Sequence, residues 1–226
     1  MDSLGYIVAA LAGYLLGSIP TGFLVAQAKG IDIRTVGSGN IGATNAFRIL
    51  GKPAGMLVLL CDICKGALAA SLVAGLLFES LIPAHQQSEQ ARQWLQIIGG
   101  FSAILGHNYP CWLKFKGGKG IATSAGVFIA LAPNACLVAF VVWIALFALT
   151  RYVSVGSLAA AVALPIGAWA TGGSALLTGL SALAGALAIY KHKANIQRLL
   201  AGTESRVGAK KGATELSPKN AEDAKE

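Results

Sequence analysis

The sequence predicts an all-α integral membrane protein with seven transmembrane helices, its N-terminus outside and its C-terminus cytoplasmic. Three observations carry that reading. Apolar residues make up 55% of the 226-residue chain and charged residues 12%, about half the charge of a soluble domain. Long apolar runs recur along the chain, so a single anchor does not account for them. Lys and Arg gather at 29–52, 114–119, 151 and 191–211, and short basic clusters of this kind stay on the cytoplasmic side. The net charge of +8 is thus an orientation signal and a lipid-surface attractor. No aromatic-rich reading surface accompanies it, so nucleic acid is not an expected partner.

The first span covers 4–28. Met1-Asp2-Ser3 supplies no basic segment ahead of it and no convincing cleavage site follows, so the run reads as a retained span. Inside it, Gly17-Ser18-Ile19-Pro20-Thr21-Gly22 is polar and rich in helix breakers, which lipid tolerates only where the backbone faces protein or a cavity. Residues 29–52 read as a polar loop. Positions 37–42 satisfy G-x-G-x-x-G literally, but a βαβ unit does not fit between these spans. The second span, 53–78, carries Asp62 and Lys65, three residues apart and so on one helical face. An unpaired charge at that depth costs roughly 3 kcal/mol or more, so the two are expected to meet each other or another polar group.

A polar loop, 79–93, leads to a third span at 94–112, which brings His107 and Asn108 to its far end. Residues 121–150 are either one overlong span or a hairpin of two short helices. Charge parity decides for the hairpin, 121–133 and 136–150 turning at Pro133-Asn134, because one crossing would put Arg151 and the 191–211 cluster opposite the other basic loops. Spans 153–171 and 174–190 complete the set. Residues 1–206 thus form a single polytopic domain, and 207–226 a polar, disordered cytoplasmic tail. Cys61, Cys64, Cys111 and Cys136 lie in or at the ends of apolar runs and read as small packing residues.

This topology puts four polar segments on one membrane face. They bring Ser38, Asn40, Thr44, Asn45, Arg48, His107, Asn108, Lys119, Thr123, Ser154, His192, Asn195 and Glu204 around a membrane-embedded bundle. The loop Lys114-Phe115-Lys116-Gly117-Gly118-Lys119-Gly120 is suited to phosphate: its glycines can turn N–H groups onto an anion, and a helix restarting near Ile121 offers its positive end. The same residues equally fit a positive-inside anchor with flexible glycines. Arg48 offers a planar fork and Lys119 a point charge to phosphate oxygens. Several chemistries are excluded. Positions five after each histidine are Gln90, Trp112 and Gln197, so the histidine–aspartate motif of soluble-type glycerolipid acyltransferases is missing. Leu113 breaks the Walker pattern, and no G-x-S-x-G elbow occurs. The three histidines and few acids have no metal-ligand spacing, and no cofactor is called for.

Taken together, the motifs resemble one family. Gly17-Ser18-Ile19-Pro20-Thr21-Gly22 and Gly37-Ser38-Gly39-Asn40-Ile41-Gly42-Ala43-Thr44-Asn45 with Arg48 resemble the first motif of the PlsY-type glycerol-3-phosphate acyltransferases. Gly106-His107-Asn108-Tyr109-Pro110 and Lys116-Gly117-Gly118-Lys119-Gly120-Ile121-Ala122-Thr123 resemble the second. Arg151 to Ser157, then His192 to Leu199 with Gly202-Thr203-Glu204, resemble the rest. The match runs in order over about residues 4–206.

The resemblance implies a bacterial inner-membrane enzyme, with a periplasmic N-terminus and an active site facing the cytoplasm. Its expected substrates are acyl phosphate and glycerol 3-phosphate, its product 1-acyl-glycerol 3-phosphate, and its working unit a monomer in the bilayer. Expected catalytic residues are Ser38, Arg48, Lys119, His192 and Asn195. Lys119, Gly117, Gly118 and Thr123 are assigned to the acyl-phosphate site, with Ser38, Arg48 and Asn45 binding phosphate nearby. His192, Asn195 and Ser154 position glycerol 3-phosphate, while Asn40, Thr44, His107, Asn108 and Glu204 complete the substrate site. His107 or His192 could serve as a general base, but no carboxylate is spaced in the sequence to orient either, which favours the departing phosphate as proton acceptor. Two rivals remain, an anionic-metabolite transporter and a lipid-binding subunit without chemistry. The first expects midplane polar motifs and an inverted repeat, neither of which is visible. The second leaves Arg48, Lys119 and His192 without a task.

Overall fold

The computed structural model describes residues 3–208, and all regular structure among them is helical. Helices α1 (Ser3–Ser18) and α2 (Thr21–Gln27) are the two parts of the first span, broken at Ile19-Pro20 because proline has no N–H to continue the ladder. The Ile19 carbonyl takes a hydrogen bond from Lys65 Nζ at 2.9 Å. Gly5, Ala9, Gly13 and Gly17 recur at every fourth position and are buried. They let α1 lie backbone to backbone on α6 (Glu89–Asn108). A Cβ on Gly13 would fall on the Gly99 carbonyl, and one on Gly17 on that of Ala103. Helices in lipid associate through such van der Waals contact, because their burial brings no hydrophobic gain.

The expected loop 29–52 contains a helix, α3 (Ala43–Leu50). Its Ala46 and Leu50 pack with Ala26, Ile33, Ile41, Ala54 and Val58 in one apolar cluster, tying the loop to α2 and α4 (Lys52–Leu68). A π-helical turn, Ala69–Val73, joins α4 to α5 (Ala74–Leu81) in one 30-residue segment. Helix α6 begins five residues before the expected 94, because Ser88 caps it: its Oγ accepts the Ala91 N–H at 3.1 Å, filling an orphan donor of the first turn. The helix ends at Asn108, so 109–112, expected as span, form a turn and a short 3-10 stretch.

The run 121–150 is broken at Ala132, ahead of the expected Pro133-Asn134, between α7 (Ile121–Leu131) and α8 (Pro133–Thr150). At 11 residues α7 is about 16 Å long, half of a bilayer core of about 30 Å. Helices α9 (Val153–Ala170), α10 (Ala175–Lys191) and α11 (Lys193–Leu200) follow. By length and composition, 3–27, 52–81, 133–150 and 153–170 can each cross a membrane, and α10 with α11, bent by 57°, makes a fifth candidate. Of the expected disordered tail 207–226, Val207 is held by its N–H on the Arg151 carbonyl at 2.9 Å, and 209–226 lie outside the described residues.

Helices α4 and α7 also meet without side chains between them. A Cβ on Gly126 would land on the Ile63 carbonyl, whereas one on Gly179 would meet nothing within 4 Å. Gly126→Ala is therefore expected to cost about 1–3 kcal/mol of overpacking. Its thermal midpoint in detergent should fall by several degrees while Gly179→Ala holds or gains.

Candidate active site

Four helix ends meet at one end of the bundle: the last turn of α6, the first turns of α7 and α9, and the α10–α11 junction. The lysine loop and residues 203–208 close over them. Lys119 Nζ donates to Asn195 Oδ1, and Asn195 Nδ2 donates to Glu204 Oε1 at 2.6 Å. Arg198 Nε donates to Glu204 Oε2 at 2.7 Å, and Ser154 faces the same carboxylate. His192, Asn195 and Arg198 follow at intervals of three, so the bend after α10 turns them to one side. Residues 203–208 are strapped down by Arg206, whose Nε donates to the Thr150 carbonyl at 3.1 Å.

Burial lowers the Lys119 pKa to about 8, with Arg198 and Arg48 adding to the effect and Glu204 opposing it. Arg48, from the α3 segment, thus stands within electrostatic range of Lys119. Against the effect of burial, contacts with Asn195, Ser154 and Arg198 hold the Glu204 carboxyl below its usual range. His192 Nδ1 lies 2.7 Å from the Ala188 carbonyl. That oxygen only accepts, so Nδ1 carries the hydrogen and Nε2 keeps a lone pair. Burial, and then Lys119, push the His192 pKa down to about 4, leaving a neutral ring at pH 7. Such an arrangement gathers cations around a neutral acceptor nitrogen.

The structure thus brings together Arg48, Lys119, Ser154, His192, Asn195 and Glu204, and it adds Arg198. Other expected contacts have different work. The N–H groups of Gly117 and Gly118 donate to the carbonyls of Asn108 at 3.2 Å and His107 at 3.0 Å, so they are not free for an anion. The donors left for one are the N–H groups of α7's first turn, which no side chain caps,. Lys191 Nζ shares the Asn108 carbonyl at 3.0 Å. Asn45 is buried and fully engaged in the loop: its Oδ1 accepts the Ser38 N–H at 3.0 Å, and its Nδ2 donates to Ile33 and Val36. Asn40 Oδ1 accepts the Gly42 N–H at 2.9 Å. Ser38, Thr44 and Arg48 are exposed on that same segment, while Asn108 and Thr123 are buried.

His107 lies below the lysine loop, 5% exposed. Its Nδ1 is 3.5 Å from Asp62, and its other edge abuts Gly118. A carboxylate therefore stands beside this ring, from another helix and without a hydrogen bond to it, but both edges face protein and the ring does not reach the cluster above. At the break between α1 and α2, Ile19, Pro20, Phe23, Leu24, Trp112 and Leu113 line an open apolar groove of about 340 Å³.

The family model for glycerol-3-phosphate acyltransferase matches residues 7–202. The chain belongs to the glycerol-3-phosphate acyltransferase family. A relative of that name from Synechococcus sp. (strain JA-3-3Ab) is 46% identical over 209 residues, 92% of this chain and 96% of its own. Another, from Desulforamulus reducens (strain ATCC BAA-1160 / DSM 100696 / MI-1), is 44% identical over 207 residues, 91% and 96% of the two chains. Among solved structures, the crystal structure of PlsY, an integral membrane glycerol 3-phosphate acyltransferase, in its glycerol 3-phosphate form is similar. It has a TM-score of 0.79 and 39% identity over 90% of this chain and 96% of that one. The chain is accordingly a multi-pass membrane acyltransferase of phospholipid synthesis. Arg198 lies within the His192–Leu199 motif, and its three-residue spacing from Asn195 is the sequence signal that places it on the same helical face,.

Proposed function

We propose that the enzyme transfers a fatty acyl group from acyl phosphate to glycerol 3-phosphate, releasing phosphate and 1-acyl-glycerol 3-phosphate. The observation that carries this reading is the convergence of Lys119 and Arg48 with the neutral His192 and with the Asn195–Glu204–Arg198 chain. The PlsY structures similar to this chain are of its glycerol 3-phosphate form and its lysophosphatidic acid form, which supports the acceptor and the product.

Acyl phosphate is already an activated anhydride, so no protein nucleophile is needed. Lys119, Arg48, Ser38 and the first turn of α7 hold the phosphates, and the acyl chain follows the apolar groove at the break between α1 and α2. Asn195 and Ser154 align glycerol 3-phosphate, with His192 Nε2 accepting a hydrogen bond from its 2-hydroxyl. The 1-hydroxyl oxygen attacks the acyl carbon, the bond from carbon to the phosphate oxygen breaks, and the proton of the 1-hydroxyl leaves with the phosphate. Fixing both substrates and neutralising the departing charge supplies the rate.

The site faces the cytoplasm of a bacterial inner membrane, in a monomer with seven membrane-inserted segments and an external N-terminus. Support for the odd number is that α7 begins and α8 ends beside the site, so the pair turns back at Ala132-Pro133. The test is phosphate release by purified protein in detergent. Release from palmitoyl phosphate should require glycerol 3-phosphate, and acyl-CoA should not replace the donor. Glycerol-3-phosphate acylation from acyl-CoA instead would overturn the donor assignment. If His192→Ala raises KM and spares kcat, the proton acceptor is the phosphate and not the ring.

The Lys119 pKa of about 8 sets a pH limit. The ammonium is charged below that value and neutral above it, so phosphate binding weakens as pH rises through it. KM for acyl phosphate is expected to be flat from pH 7 to 8 and to climb above pH 8, by up to about tenfold per pH unit.

A further inference from the structure

Two charged groups under the site are assigned no part in the reaction. Asp62 and Lys65 on α4 are 2% and 5% exposed, and they meet at 2.8 Å, as their spacing predicts. A buried ion pair is weak evidence of stability, because apolar residues of the same shape serve as well or better. Its neighbours give it another task. Lys65 Nζ bonds the Ile19 carbonyl at the break in the first span. Asp62 Oδ1 lies 3.5 Å from His107 Nδ1, and the far edge of that ring is packed on Gly118, leaving no room for a Cβ. The His107 carbonyl also accepts the Gly118 N–H at 3.0 Å. His107 therefore holds Gly118 by both its ring and its main chain, one residue before Lys119.

We propose that Asp62, braced by Lys65 and acting through His107, is a positioning residue for Lys119. The carboxylate faces Nδ1 at 3.5 Å without a hydrogen bond and holds the imidazole by its charge, the imidazole fixes Gly118, and Gly118 sets where the Lys119 backbone starts. The ammonium can then reach Asn195 and the phosphate. The kinetic form of this inference rests on the proposed role of Lys119 in the acyl-phosphate site; its structural form does not.

A double-mutant cycle tests it. Asp62→Asn keeps the shape and removes the charge, and a catalytic group misplaced by about 1 Å loses about 100-fold. In Asp62→Asn, kcat/KM for acyl phosphate is expected to fall about 10- to 100-fold, with KM for glycerol 3-phosphate unchanged. His107→Asn should cause a similar loss, and the double variant no more than either single one. In protein reductively methylated with carbon-13, the Lys119 methyl resonance should shift in both single variants without any substrate present. Losses that multiply, or a Lys119 resonance that stays in place, would overturn the inference. A resonance that moves while acyl-phosphate kinetics do not would sustain the positioning and overturn the substrate role of Lys119. Should Asp62→Asn not purify folded, His107→Asn, which leaves the Asp62–Lys65 pair in place, reads out the same two quantities.

Discussion

Lys119→Ala is expected to lower kcat/KM for acyl transfer by about 10²–10³-fold, since loss of one partner of a desolvated charge pair costs about 2–5 kcal/mol. The side chain is half-buried, and the positive charges of Arg48 and Arg198 act on it. Without a phosphate, these cations repel one another and Glu204 offsets them; with one, they share an anion. That difference is why the loss should be large and why the fold should tolerate it. Truncation removes a repelled cation, so the thermal midpoint of the variant should hold or rise. Lys119→Arg separates charge from shape. Its guanidinium stays charged far above pH 8, so the rise of KM above pH 8 should vanish even though the fork fits Asn195 poorly and activity falls about tenfold. A rise that persists in Lys119→Arg would assign the titration to another group.

Gly118→Ala is expected to be nearly as damaging, by steric conflict. A Cβ there would sit on the His107 ring, which is buried between α4 and the loop and has nowhere to go. Forcing that contact costs about 1–3 kcal/mol and lifts the lysine loop, so kcat/KM should fall about 100-fold through misplacement. Gly75→Ala is the control, since its Cβ would meet nothing within 4 Å and alanine favours a helix interior. Its activity should equal that of the wild type. The pair distinguishes a loop held from below from a loop that is merely flexible, in which Gly118→Ala would bind and turn over normally.

What the sequence made legible was what depends on nearby residues or on composition. The breaker-rich patch at 17–22, the interruption of 121–150 beside Pro133 and the Asp62–Lys65 pair all follow from local spacing, and the membrane class follows from apolar content. Helix α3 was not legible, because eight residues between Gly42 and Gly51 give two turns, too few for a period to stand out. Most of the clustered cations and amides could be named, but their partners could not. That Gly117 and Gly118 give their N–H groups to the end of α6, and that Asn45 is taken up by its own loop, are tertiary facts without a sequence signal. The carboxylate that stands beside His107 has no sequence signal for the same reason. It lies 45 positions away on α4, and only packing of α4 and α6 against α7 brings it to the ring.

Direct transfer requires both substrates to be held at once, with no acyl-enzyme. Initial rates over a matrix of palmitoyl phosphate and glycerol 3-phosphate concentrations decide this. Intersecting double-reciprocal lines are expected, as both substrates must be present before the acyl carbon is attacked. Parallel lines, with phosphate released in a burst before glycerol 3-phosphate is added, would show an acyl-enzyme and contradict it.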